Sequence, residues 1–478
     1  MIETLTILPA PFWAVVLLLL GGGYWALQHL RDGTGLPVLA VLGTAAAWYV
    51  GDAFYNDYPN YHAKVFDAGT LASAWWQVAW FLTVFLLAVP EVHRSLNARC
   101  PNQRSGVMEL FSHGVAFPFI QDQMRKIFWA CVWTWCLIFL IAVLTLKSEI
   151  KYFLFPFLGY RATPWAHARV GGGFDAVFVL GFYLQLLSAT MFGVVAALAT
   201  DKRIQRLAIL FCLIAWPHFI FDRTRNTMLA MVVPAVLGWV FLRMRGGFLK
   251  KISVLLVCFL LVNGWMKFII ANRSEMTIGQ ALKSIKSGEA KKQGRNEGLN
   301  MYEELCWITS FIERGTYRVN WGQRYFAELV NPIPRGLWHG KPLIGIDYAI
   351  ARGLGGGDAE QGGVVATVST GFIGQGVVNF GRVFGPAAAA ILMAFWVAWL
   401  ARLDLEIQRL GYLPLYCLGL ILTFNLGRDI TLITIYPLIF GLLAAWWLER
   451  HRRKTGYQPA RTSPRSLPTV QVSSAAPR

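Results

Sequence analysis

Charge is what this chain has least of. Only 15% of its 478 residues are Asp, Glu, Lys or Arg, against roughly 25% in ordinary soluble domains, so a cytosolic globular protein is excluded. Strand alternation is missing as well. A transmembrane β-barrel needs segments of about ten residues that alternate in polarity, whereas runs such as IFWACVWTWCLIFLIAVLTL from Ile127 to Leu146 are continuously apolar. Cysteine offers neither a disulfide framework nor metal spacing: the count is seven, and Cys131, Cys136, Cys212, Cys258 and Cys417 lie inside apolar runs as membrane-packed thiols. A Gly-rich phosphate loop followed by Lys-Ser/Thr, a His-Glu-x-x-His pair and a nucleophile elbow are all absent, and no metal site is expected. The first residues, MIETLTILPAPFW, carry no basic region or small-residue cleavage signature, so the first span is expected to be retained.

What the chain has instead is 56% hydrophobic residues, gathered into runs close to the ~20 residues that cross a bilayer. The runs and their breakers predict spans near 11–29, 36–55, 71–90, 127–146, 176–199, 207–221, 227–242, 252–271, 386–402, 411–427 and 430–448. The expected fold is therefore an all-α polytopic membrane protein with about eleven transmembrane helices. The formal net charge of +18 does not indicate nucleic acid, because most of the excess sits between spans. Alternating sides gathers Arg94, Arg99, Arg104, Arg125 and Lys126, then Lys202, Arg203 and Arg206, then Arg243, Arg245, Lys250 and Lys251, and finally Arg450, Arg452, Arg453 and Lys454 on one side. The positive-inside rule makes that side cytoplasmic, leaving the N-terminus outside and the C-terminus inside.

Four regions follow: a first bundle of eight spans over 1–271, an outer loop subdomain with a Gly-rich re-entrant segment over 272–385, three last spans over 386–449, and a disordered basic cytoplasmic tail over 450–478. From Asn272 to Gly362 no span occurs, far beyond ordinary connection lengths. Within that stretch, MYEELCWITSFIERGTYRV places Leu305, Ile308, Phe311 and Ile312 at helical spacing. The spacing predicts an amphipathic helix lying on the membrane or the bundle.

Arginine on the outer side is the informative anomaly. Arg223 and Arg225 fall in the short DRTRN connection, and Arg428 falls in NLGRDIT between the last two spans. One arginine at a helix end is accounted for by snorkelling, and Asp222 and Asp429 offer local ion pairs, but three in tight outer turns suggest a polar cavity or an anionic ligand. Arginine recurs outside as Arg314, Arg318, Arg324, Arg335, Arg352 and Arg382. Arg314 and Arg318 would share one helix face, and a guanidinium fork suits bidentate contact with phosphate or carboxylate. Pairing with Glu304, Glu313 and Glu328 is the alternative for each.

Two further segments stand out. In NPIPRGLWHGKP, 331–342, three prolines forbid a helix and hold an extended course that presents Trp338 with Arg335 and Lys341. In STGFIGQGVVNFGRVFGP, 369–386, five glycines permit a broken or re-entrant helix. The PxPRxLWxxKP pattern of 332–342, the VNFGR of 378–382, the FDRTRN turn of 221–226 and the arginine of NLGRD at 425–429 together resemble the oligosaccharide repeat unit polymerases, the Wzy-type O-antigen and exopolysaccharide polymerases. His339 departs from the pattern, which more often has proline there.

The resemblance implies a GT-C-like membrane glycosyltransferase in the bacterial cytoplasmic (inner) membrane, acting at the outer leaflet on undecaprenyl pyrophosphate-linked oligosaccharide without a cofactor. Its implied partners are that lipid-linked glycan, the bilayer and a chain-length regulator protein. Arg335 and Arg428 would stabilise the pyrophosphate leaving group, and one of Glu313, Glu328, Asp347 or His339 would activate the acceptor hydroxyl. Arg223, Arg225, Arg314, Arg318, Arg324, Trp338, Lys341 and Arg382 would bind pyrophosphate or glycan. An O-antigen ligase, which transfers finished glycan to lipid A core, and a transporter or flippase of the same lipid-linked glycan are the competing functions.

Overall fold

The computed structural model describes residues 7–98, 104–113, 118–146, 149–155, 175–221, 225–271, 300–331, 333, 336–342, 345–353, 368–409 and 411–454. Among these every regular element is a helix. In chain order the principal ones are α1 (Ala10–Gln28), α2 (Gly35–Tyr55), α3 (Ala68–Asn97), α4 (Gly106–His113), α5 (Pro118–Leu146), α6 (Asp175–Leu198), α7 (Lys202–Ile220) and α8 (Arg225–Gly238). They are followed by α9 (Phe248–Ala271), α10 (Met301–Glu313), α11 (Gln323–Val330), α12 (Ile346–Ala351), α13 (Gly371–Leu405), α14 (Tyr412–Leu426) and α15 (Leu432–Lys454). Helix covers each of the eleven apolar runs. Among the described residues seven helices, α1, α2, α3, α13, α7 and the apolar parts of α5 and α6, are long and apolar enough to cross a membrane.

Composition explains where helices begin and what they face. Asp67 caps α3 by accepting from the Thr70 amide at 2.8 Å and the Thr70 hydroxyl at 2.7 Å, and Asp201 caps α7 through the Arg203 amide at 2.8 Å. Large apolar side chains stay exposed along α1 (Leu17, Leu20, Tyr24), α5 (Trp133, Leu137, Leu144) and α9 (Phe259, Leu261). Water would not tolerate so much contiguous apolar surface, and lipid does.

The connections collect at two ends. At one, the Ser105 amide donates to Arg31 O at 2.8 Å, the Val107 amide to Asp404 Oδ1 at 2.8 Å, the Thr200 amide to Gln121 Oε1 at 2.7 Å, and Arg243 Nη1 to Ala199 O at 3.0 Å. These are the connections that carry the basic clusters. At the other end, the Glu303 amide meets Asp52 at 2.8 Å, the Tyr61 hydroxyl meets Glu303 at 3.0 Å and the Gly371 amide meets Arg428 O at 2.8 Å. α1 begins at this second end, where Phe12 packs edge-on against Phe54 and Trp75. α15 finishes at the basic end, where Ala445 lies against Gly411. The described chain thus starts and stops at opposite ends of the bundle.

α10 departs from the expected surface helix. Met301 to Cys306, Ile308, Thr309 and Ser310 are all buried, because both of its faces are occupied within the bundle. Tyr302 stacks on Trp75 at 4.2 Å and its hydroxyl donates to Leu71 O at 3.0 Å. The polar face is satisfied equally well: Arg352 donates to Glu304 from Nε (3.1 Å) and Nη2 (3.2 Å) and lies 4.6 Å over the Trp307 ring. Tyr348 adds a 2.5 Å bond to the same carboxylate. The stretch is an internal wedge of the bundle, held by an ion pair whose buried carboxylate accepts from Arg352, Tyr348 and Asn300.

Candidate functional site

α13 sets up the site by breaking. At Gly381 the backbone takes φ 78° and ψ −179°, a region only glycine occupies without strain. The chain reverses there. Gly376 and Gly385 would stand ~13 Å apart in a continuous helix, yet a Cβ on Gly376 would lie 2.2 Å from Gly385 O, and one on Gly385 would lie 2.4 Å from Gly376 C. The first arm, Gly371–Phe380, is a re-entrant piece packed against the spanning arm.

That arm opens against the α14–α15 turn. Gly371 and Phe372 donate their amides to Arg428 O (2.8 Å) and Gly427 O (3.2 Å). The Gln375 side chain holds Ile430 from both sides, accepting from its amide at 2.8 Å and donating to its carbonyl at 3.0 Å. Gly427 admits no side chain, since a Cβ would meet Thr44 Cγ2 at 2.2 Å. The junction is recessed. Phe372 packs on Phe81 at 4.7 Å, a residue about 20 Å along α3 from its first turn at 1.5 Å per residue.

Onto this junction α11 lowers two ionisable groups four residues apart, hence on one helix face. Arg324 is 5% exposed and Glu328 6%. Arg324 Nη2 reaches Asp429 Oδ1 at 3.5 Å, an oxygen that also accepts from the Thr370 amide (3.2 Å) and hydroxyl (3.1 Å). Among the described residues Arg324 Nε and Nη1, Glu328 Oε2, Tyr325 Oη and Tyr436 Oη are all buried without a hydrogen-bond partner. Buried polar atoms are nearly always paired, so five such atoms on side chains that sense one another's charge mark a place built to receive something polar. Burial, reinforced by the Asp429 carboxylate and opposed by Arg324, pushes the Glu328 carboxyl up to about 8. Burial likewise raises the Tyr325 phenol, which keeps it protonated and able to donate.

The sequence-predicted residues separate into groups around this centre. Arg428 is exposed beside it and donates from Nε to Ser369 Oγ at 2.8 Å. Asp429 does not pair with its neighbour Arg428 but with Arg324, because the two side chains leave the turn toward different partners. Asp347 is exposed and accepts from the Tyr317 hydroxyl; Tyr317 and Tyr348 meet edge to face at 6.1 Å. Glu313 and Arg382 form an ion pair with each other, and the Thr70 hydroxyl, whose proton goes to Asp67, lies 3.4 Å from the same carboxylate.

Arg314 and Arg318 do not share a helix face: α10 stops at Glu313, Gly315 turns the chain at φ 70°, and both arginines are exposed. In the proline-rich segment Lys341 is buried and donates from Nζ to Asn331 O and Ile333 O, each at 2.9 Å, so it ties that segment together. Trp338 lies edge-on to Phe326 at 6.4 Å, and His339 is exposed. Arg223, Arg335 and the side chain of Arg225 lie outside the described residues.

Sequence reasoning passed over Tyr325, Tyr436 and Thr370, and nothing in their spacing marks them. It also passed over Asp52 and His62, which stand 3.6 Å apart and wholly buried behind α10. No protein-family model, curated protein or solved structure matches the chain.

Proposed function

We propose that this protein is a polymerase of undecaprenyl pyrophosphate-linked oligosaccharide repeats, a membrane glycosyltransferase whose site faces the outer leaflet. The observation that supports this reading is Arg324: a buried guanidinium with two donors unpartnered, beside Arg428, at the end opposite the basic connections. In the positive-inside assignment the basic end is cytoplasmic, so the arginines open outward, where lipid-linked repeats are polymerised.

In the proposed reaction a hydroxyl of the incoming repeat attacks the anomeric carbon of the growing chain, and the bond to undecaprenyl pyrophosphate breaks. Negative charge grows on the departing oxygen. Guanidinium groups fixed before the reaction stabilise that charge without reorganising, a task for Arg428 and Arg324 among the described residues. The proton of the acceptor hydroxyl passes to a nearby base. Among the described residues Asp347 is the exposed carboxylate of the predicted set that carries no cationic partner in an ion pair, whereas Glu313 is engaged by Arg382.

Two outcomes test the reading. Loss of the protein in its host should leave single repeats attached to acceptor, whereas loss of a ligase would leave polymer on undecaprenyl pyrophosphate. A phosphatase fusion at Gly288 should be active and one at Ser105 inactive; the reverse pattern would put the arginine cluster in the cytoplasm and overturn the assignment.

A further inference from the structure

Arg324 supplies charge to the cluster, but Glu328 sets the terms on which an anion can enter it. Both side chains leave α11 on the same face and both are buried. Among the described residues Glu328 Oε2 has no partner, and the Arg324 donors Nε and Nη1 have none either. The groups that face Glu328 are Arg324 on its own helix, Asp429 from the α14–α15 turn and Tyr436 from α15. Arg324 is the one cation among them, and it already serves Asp429. A phosphate-class anion brought to Arg324 would therefore meet two carboxylates in a desolvated space if Glu328 were ionised. Like charges at such range repel strongly where water is excluded.

We propose that the site takes a phosphate or pyrophosphate group together with one proton, carried on Glu328, whose carboxyl donates a hydrogen bond to the anion that Arg324 pairs with. This rests on the polymerase reading for the identity of the anion and adds the proton to it. The step balances simply: carboxylate plus one proton from solvent gives the carboxyl, and the anion enters with its own charge unchanged. A carboxyl at about 8 is mostly neutral at pH 7, so the site is ready at neutral pH and closes as the pH rises.

The test uses the full chain in lipid nanodiscs and farnesyl pyrophosphate as probe, which is fully ionised above pH 8. Affinity should fall about fifteenfold between pH 8 and pH 9.5 if the neutral carboxyl alone admits the anion. At pH 8.5, calorimetry in two buffers of different ionisation enthalpy should show uptake of roughly three-quarters of a proton per bound probe. Glu328→Gln should bind with a flat pH profile and no uptake, and Arg324→Ala should lose binding. The proposal is overturned if the wild type binds without proton uptake, if Glu328→Gln keeps the wild-type slope, or if the probe does not bind. Uptake is read on the wild type, so a poorly folding variant does not shield the idea. Proton-linked binding without glycan extension would leave this inference standing and remove the polymerase reading, whereas extension with proton-independent binding would do the opposite.

Discussion

Arg428→Ala is expected to cut glycan chain extension by about a hundred- to a thousandfold while leaving the amount of folded protein unchanged. The magnitude is that of removing one preorganised donor to a developing oxyanion, roughly 2.7–4 kcal/mol. Protein level should hold because Arg428 is exposed and, among the described residues, its side chain makes a single bond, to Ser369. Arg428→Lys should also be impaired, since an ammonium keeps the charge but loses the planar fork. Extension is read as the distribution of glycan lengths from purified lipid-linked repeats, beside a size-exclusion measure of folded protein. Near-normal polymer from Arg428→Ala would remove this residue from the reaction. The corresponding change at Arg324 is less clean, because it removes a buried guanidinium and leaves the half-buried Asp429 without its cation; breaking a fully buried pair costs about 3–5 kcal/mol, which is the upper bound here.

The second large effect concerns shape. Gly376→Val or Gly385→Val places a side chain where the opposing backbone already stands, at 2.2 and 2.4 Å from a new Cβ. Overpacking against movable side chains costs about 1–3 kcal/mol. Here backbone must shift, so the loss should be at least about 3 kcal/mol and the re-entrant arm should separate from the spanning arm. Gly381→Ala should do less, on the order of 1–3 kcal/mol, since it strains one residue and displaces no neighbour. Thermal unfolding in detergent ranks the three. If Gly376→Val melted with the wild type while Gly381→Ala did not, the two arms would not be packed as described.

How much of this could be read from the residues depends on how local its cause is. The apolar runs are local, and helices lie over all eleven of them. The break at Gly381 was legible for the same reason: five glycines in eighteen residues permit a reversal whatever surrounds them. α10 was not legible, because a helix carrying Glu303 and Glu304 looks like a surface helix until its partners arrive. Those partners are Asp52, from 251 positions earlier, and Arg352, from 48 positions later.

Arg324 stood among a dozen Lys and Arg of 272–362 with nothing to single it out. Its burial comes from α11 being pressed onto the α14–α15 turn, a long-range contact that no spacing announces. The alternative that Asp429 pairs with its neighbour Arg428 fails on the same ground. Adjacency in sequence suggested a pair, but the turn sends the two side chains to Arg324 and to Ser369.

The decisive measurement reconstitutes the purified full-length protein in liposomes with undecaprenyl pyrophosphate-linked repeats and follows product length with time. A polymerase gives a ladder of repeats that lengthens and releases undecaprenyl pyrophosphate, and the Arg428→Ala protein gives single repeats. Repeats that stay single with wild-type protein while the lipid moves between leaflets would contradict the polymerase reading and identify a transporter.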